Sequence, residues 1–159
     1  MAKICSNAEL DARFIKATKK FRLVDAEEFL NSGANIDAVD RKGMTALIYA
    51  ARGGNLRVVQ FLVELGAALD VQDHAGYTAA MYSAYHRRPK VAEYLAHSGA
   101  NLILKNNRGQ NAYDIAMGKG YKDVATIFPE IDLTADLKRG TDALSRLRRG
   151  IRPSRINAT

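Results

Sequence analysis

Cysteine is nearly absent from this chain. Cys5 stands alone among 159 residues, so no intrachain disulfide can form and no cysteine-based zinc site is supported. A reducing, cytoplasmic setting is the expectation. Long apolar runs are also missing. No window approaches the ~20 apolar residues of a membrane span. The opening stretch from Met1 to Glu9 has no apolar core, so no export signal is expected. The motifs of common catalysts are missing as well: no Gly-rich phosphate loop, no serine in a nucleophile elbow, no cysteine paired with histidine. The histidines number three, His74, His86 and His97. His74 and His86 are the pair that could approach one another, and a third ligand is not evident. Glu27-Glu28 and Asp70/Asp73 read more simply as solvated or capping carboxylates than as an acid–base pair. The sequence therefore points to no enzyme, no metal and no cofactor.

What is present is an ordinary globular composition, 47% hydrophobic and 26% charged, enough for one domain with a real core. The net charge of +7 is uneven. Residues 1–131 contribute +3 and the last 28 residues contribute +4. A basic tail on a nearly balanced body differs from a uniformly basic protein.

A period of 33 residues is the strongest signal. Gly33-Ala34, Gly66-Ala67 and Gly99-Ala100 are spaced by it. So are Asp40, Asp73 and Asn106; Gly43, Gly76 and Gly109; Thr45, Thr78 and Asn111; and Val58, Val91 and Val124. A fixed period of this length indicates stacked repeats. Thr45, Thr78 and Asn111 carry short side-chain oxygens suited to capping a helix, and Asp114 follows Asn111 at capping-box spacing. Small-residue helices are predicted from Ala46, Ala79 and Ala112. Breaks follow at Gly53-Gly54, Arg87-Arg88 and Lys119-Gly120. Second helices show apolar spacing of three and four, as in Leu56, Val59, Leu62 and Val63. Gly66 and Gly99 fit left-handed helix ends.

The series Asp40, Gly43, Thr45-Ala46-Leu47, Ala50-Ala51, Gly54-Asn55-Leu56, Val58-Val59, Leu62, Gly66-Ala67 resembles an ankyrin repeat. Residues 73–105 repeat it, 106–131 carry most of another copy, and 7–39 resemble a degenerate first copy without its hairpin half. The resemblance implies an all-α solenoid of helix–turn–helix units with short β-hairpin or turn fingers, spanning 1–131 as repeats at 7–39, 40–72, 73–105 and 106–131. One departure stands out. The family's Thr-Pro-Leu-His is Thr45-Ala46-Leu47-Ile48, Thr78-Ala79-Ala80-Met81 and Asn111-Ala112-Tyr113-Asp114 here, so the histidine bonds between repeats are absent and weaker coupling is expected.

Residues 132–159 leave the register and form a basic C-terminal extension. A short helix is predicted from Thr141 to Gly150, with Ala143, Leu144 and Leu147 on one face and Arg146 and Arg149 pointing away. It reads as an added cap, as a basic strip for an acidic partner or nucleic acid, or as a membrane-surface helix.

The resemblance implies a binding module that uses its concave side, built from finger tips and the ends of first helices. Those positions are free to vary because stacking does not need them. Carried into this sequence, they are Arg41, Lys42, Met44 and Arg52; His74, Tyr77, Tyr85 and His86; and Asn107, Arg108, Gln110 and Lys119. Tyrosine and arginine anchor interfaces more often than lysine or serine, and the set holds no carboxylate. Tyr49, Tyr82, Tyr94 and Tyr113 read as packing residues. The expected function is recognition of another protein, acidic in the segment that binds, by a monomer. The alternative is an electrostatic adaptor for nucleic acid or an assembly, acting through the basic tail and Arg87-Arg88-Pro89-Lys90. Such nucleic-acid binding would be weak in specificity.

Overall fold

The computed structural model describes residues 7–128. The basic extension at 132–159, its expected Thr141–Gly150 helix, and Cys5 lie outside the described residues.

Among the described residues eight helices follow one another in pairs: α1 (Asn7–Lys19) with α2 (Leu23–Asn31), α3 (Ala46–Gly53) with α4 (Leu56–Glu64), α5 (Ala79–Tyr85) with α6 (Pro89–His97), and α7 (Ala112–Gly118) with α8 (Lys122–Ala125). The local chemistry explains the starts. Thr45, Thr78 and Asn111 are extended, and their side-chain oxygens accept the backbone N–H of Ile48, Met81 and Asp114. Those bonds satisfy donors that the first helical turn leaves without partners. In α7 the Asp114 carboxylate returns the bond to the Asn111 N–H at 3.0 Å, completing a capping box. Asn55 caps α4 in the same manner.

First helices pack on first helices, α1 to α3 to α5 to α7, while α4 meets α6 and α6 meets α8. Alanine permits the close approach: Ala46, Ala51, Ala79, Ala84, Ala112 and Ala116 are all buried. Second helices fill the space behind with Val58, Val59, Leu62, Val91, Leu95 and Val124, none more than 1% exposed. Phe14 belongs to this core at one end and Phe128 at the other. Truncating a fully buried leucine such as Leu62 or Leu95 costs roughly 2–5 kcal/mol.

The fingers between helix pairs are tight turns, and among the described residues no strand forms. Asp40, Asp73 and Asn106 each donate their N–H to the carbonyl four residues on. The same side chains take back two N–H bonds: Asp40 from Lys42 and Met44, Asp73 from Ala75 and Tyr77, Asn106 from Arg108 and Gln110. Successive fingers then touch. The His74 N–H donates to the Lys42 carbonyl and the Asn107 N–H to the Ala75 carbonyl, both at 3.1 Å. A Cβ on Gly76 would stand 2.8 Å from the Asn107 backbone nitrogen, so glycine is required there by contact as well as by its φ of 78°. Repeats are also tied behind the fingers, where Asp37 accepts the Ala68 N–H and Asp70 the Asn101 N–H. Backbone-to-side-chain bonds thus join successive repeats.

Candidate partner-binding surface

In the second and third repeats a tyrosine of the first helix clasps the finger. The Tyr49 hydroxyl donates to Asp40 Oδ2 at 2.6 Å, and Tyr82 donates to Asp73 Oδ2 at 2.7 Å. Each carboxylate therefore holds two backbone amides on one oxygen and a phenol on the other. Burial raises the Asp40 pKa, but the Tyr49 bond, the two amides and the nearby Lys19 outweigh it and hold the carboxyl below its ordinary value. Burial and the same bond push Tyr49 up to about 12. Tyr82 is raised further by burial and by Asp73.

The clasp positions the rest of the site. Tyr77 lies 5.2 Å from Tyr82 and 6.3 Å edge-on from Tyr85, centroid to centroid. His86 stacks on Tyr82 at 6.2 Å with planes 10° apart and meets Tyr85 at 5.0 Å. Lys119, from the next repeat, places its Nζ 3.9 Å over the Tyr85 ring, a cation–π contact. Burial lowers the His86 pKa, and Arg52, Arg88 and Lys119 lower it further. Three cations from three repeats thus act on one imidazole.

A groove runs beside this cluster. Arg41, Lys42, Met44, Arg52, Asp73, His74, Ala75 and Tyr82 line it. Arg41, Lys42, Arg52 and His74 are exposed. Met44 is corrected: it is 2% exposed and belongs to the core, because the returning leg of the finger turns it inward ahead of the Thr45 cap. Tyr77 stands in the same register position and is half-buried against the core. Tyr85 is 38% exposed and presents its ring. Asn107 is exposed and spends its amide on the His74 carbonyl at 3.0 Å. Arg108 and Lys119 are exposed and Gln110 half-buried. Of the positions expected from sequence, Arg41, Lys42, Met44, Arg52 and His74 line the groove, while Tyr77, Tyr85, His86, Asn107, Arg108, Gln110 and Lys119 do not.

Tyr82, read from the sequence as a packing residue, does pack against the core and in addition clasps Asp73 and lines the groove. Its signal was the Asp73–Tyr82 spacing, repeated as Asp40–Tyr49. Among the described residues the ion pairs are Arg13–Glu9, Arg22–Asp25 and Arg87–Asp123. None involves a cation of the groove.

A family model described as ankyrin repeats in three copies matches residues 15–106, more than half of the chain. A search of curated proteins finds no match.

Proposed function

The chain belongs to the ankyrin-repeat family, whose repeats mediate protein–protein interaction, and from that premise we propose that it recognises an acidic protein segment in the groove between its fingers and first helices. One observation carries the reading. Arg41, Lys42 and Arg52 converge on a groove in which the carboxylate present, Asp73, is already taken by Tyr82 and two backbone amides. The cations are therefore left to an incoming anion. The neighbouring Tyr85 ring, partly exposed beneath Lys119, supplies apolar area and a rigid anchor. Charge would steer the encounter, and tyrosine burial would set the dissociation rate.

The mechanism needs no chemistry on the ligand. The finger is fixed to its helix before the partner arrives, so little ordering is left to be done on binding. The surface is used as the free protein presents it. The lone cysteine remains consistent with the cytoplasmic setting we infer.

The test is affinity capture from source-cell lysate with nuclease present, comparing the full chain with an Arg41→Ala/Arg52→Ala/Tyr85→Ala variant whose helical signal and melting are intact. The reading expects one protein, containing an acidic segment, that the variant fails to retain. Retention of that protein by the variant at undiminished yield, or capture abolished by nuclease, sinks it.

A further inference from the structure

Charge is segregated within the stack in a way the groove does not use. The turn joining the two helices of each repeat occupies residues 20–24, 53–57, 86–90 and 119–123. These twenty positions hold eight of the sixteen lysines and arginines of residues 7–128 and one of the thirteen carboxylates, Asp123. The turns carry a net +7, and the rest of the described residues carry −4. The second, third and fourth turns lie against one another, and the first follows α1, which packs on α3. The Arg88 side chain crosses Gly54, with its Nε 3.4 Å from the Arg52 carbonyl. Arg87 reaches Asp123 at 3.3 Å and lies over the Tyr121 ring. The result is one cationic edge. Lys20, Arg57, Lys90 and Lys122 are exposed on it and have no ion pair among the described residues.

The first turn adds apolar groups to that edge. Phe21 is 58% exposed and Val24 72% exposed, with Lys20 and Arg22 around them. Phe21 has a φ of 60°, at the register position where the other repeats have Gly54, Arg87 with a φ of 51°, and Gly120. A phenylalanine held outward in a left-handed conformation gains nothing for the fold at that site. It gains a partner only if something covers it.

We propose that this edge docks on an anionic phospholipid bilayer, with Phe21 and Val24 entering the interface and the turn lysines and arginines meeting the headgroups. The pairing of a short apolar wedge with a basic strip is what reversible surface attachment requires, since neither suffices alone. A nucleic-acid track fits less well. Such tracks repeat open aromatic platforms along the strand. Here Tyr121 is covered by Arg87 and Phe21 stands at one end. The edge shares Arg88 and Lys119 with the surroundings of His86, but Lys20, Phe21, Arg57, Lys90 and Lys122, the positions varied below, do not line the groove, so failure here leaves the proposed protein recognition untouched.

The experiment is co-sedimentation of the full chain with phosphatidylcholine vesicles, with and without about 30 mol% phosphatidylserine, between about 20 and 150 mM salt. Binding is expected only with phosphatidylserine and should weaken as salt rises. Lys20→Gln, Arg57→Gln, Lys90→Gln and Lys122→Gln should each reduce partitioning about fivefold at low salt. Phe21→Ala should reduce it about tenfold. Phe21→Asn, which tolerates the left-handed backbone, should match Phe21→Ala and so separate the lost ring from any change in the turn. Phosphatidylserine vesicles left unbound overturn the proposal, as does equal binding to phosphatidylcholine alone. So does binding indifferent to both Phe21 variants, or an oligonucleotide bound more tightly than the phosphatidylserine vesicles.

Discussion

The third and fourth repeats present the same finger with different bracing. In the third, Asp73 holds two backbone amides and the Tyr82 phenol, and every oxygen has a partner. In the fourth, Asn106 holds two backbone amides through Oδ1, and the position equivalent to Tyr82 is Ile115. The aspartate and the tyrosine have been lost together. What remains is the buried Asn106 Nδ2, which has no hydrogen-bond partner among the described residues. The turn itself needs one oxygen, which Asn and Asp both supply. Fixing that turn to the helix behind it needs the second oxygen and a phenol. The groove lies where this second bond exists, and Arg108 and Gln110 of the unbraced finger do not line it.

The comparison breaks most sharply at Tyr82→Phe. Asp73 is 8% exposed, so removing the phenol strands a buried charge and should cost about 2–3 kcal/mol in chemical denaturation. Tyr49→Phe should cost about 1 kcal/mol, because Asp40 is more exposed and keeps water as a substitute partner. If the two substitutions cost the same, burial is not what sets the strength of the clasp. The reverse construction sharpens the contrast. Asn106→Asp with Ile115→Tyr should raise stability by about 1 kcal/mol, whereas Ile115→Tyr alone should gain less, and a double-mutant cycle reads the coupling. Equal effects with and without the aspartate would mean that the missing clasp is not why Asn106 is left with an unpartnered amide.

Smaller effects follow pH. The Asp40 carboxyl is depressed in the folded chain, so its contribution is present above about pH 3.8 and is lost as pH falls through the folded value. Tyr49 is raised from 10.0 to about 12, so its contribution is present below pH 10.0 and is lost as pH climbs toward 12. Tyr49→Phe should flatten the alkaline limb of a stability–pH curve, and an unchanged limb would contradict the assignment. His86 behaves differently. Its depressed value favours the neutral ring in the free protein, and an acidic segment bound among Arg52, Arg88 and Lys119 would raise it again. Binding should then tighten a few-fold as pH falls from about 7.5 to 6, and His86→Gln should remove that dependence. A wild-type affinity flat across this range would show that no anion sits near the imidazole.

Much of the fold was legible because it is repetitive. The caps at Thr45, Thr78 and Asn111, the alanine helices and the left-handed glycines each recur at one spacing, so local chemistry and register agree. The site was less legible for physical reasons. Met44 was assigned to the surface because it follows a finger tip, but the side chain one residue before the cap turns inward, and Tyr77 and Gln110 at the same register are also partly covered. The clasp was missed because nine residues separate Asp73 from Tyr82 across a turn and a helix start, and no helical or strand period brings them together. The turn edge was visible only as the local run Arg87-Arg88-Pro89-Lys90. Its continuation through Lys20, Arg57 and Lys122 depends on how the repeats stack.

We propose that a braced, cation-lined groove beside Tyr85 recognises an acidic protein segment. It is tested most directly by titrating the captured partner against the wild-type chain and Tyr85→Ala. Tyr85 is partly exposed, so its truncation should leave the melting temperature nearly unchanged while weakening binding by about 1–3 kcal/mol. An affinity equal to wild type, measured on a folded variant, would contradict the account.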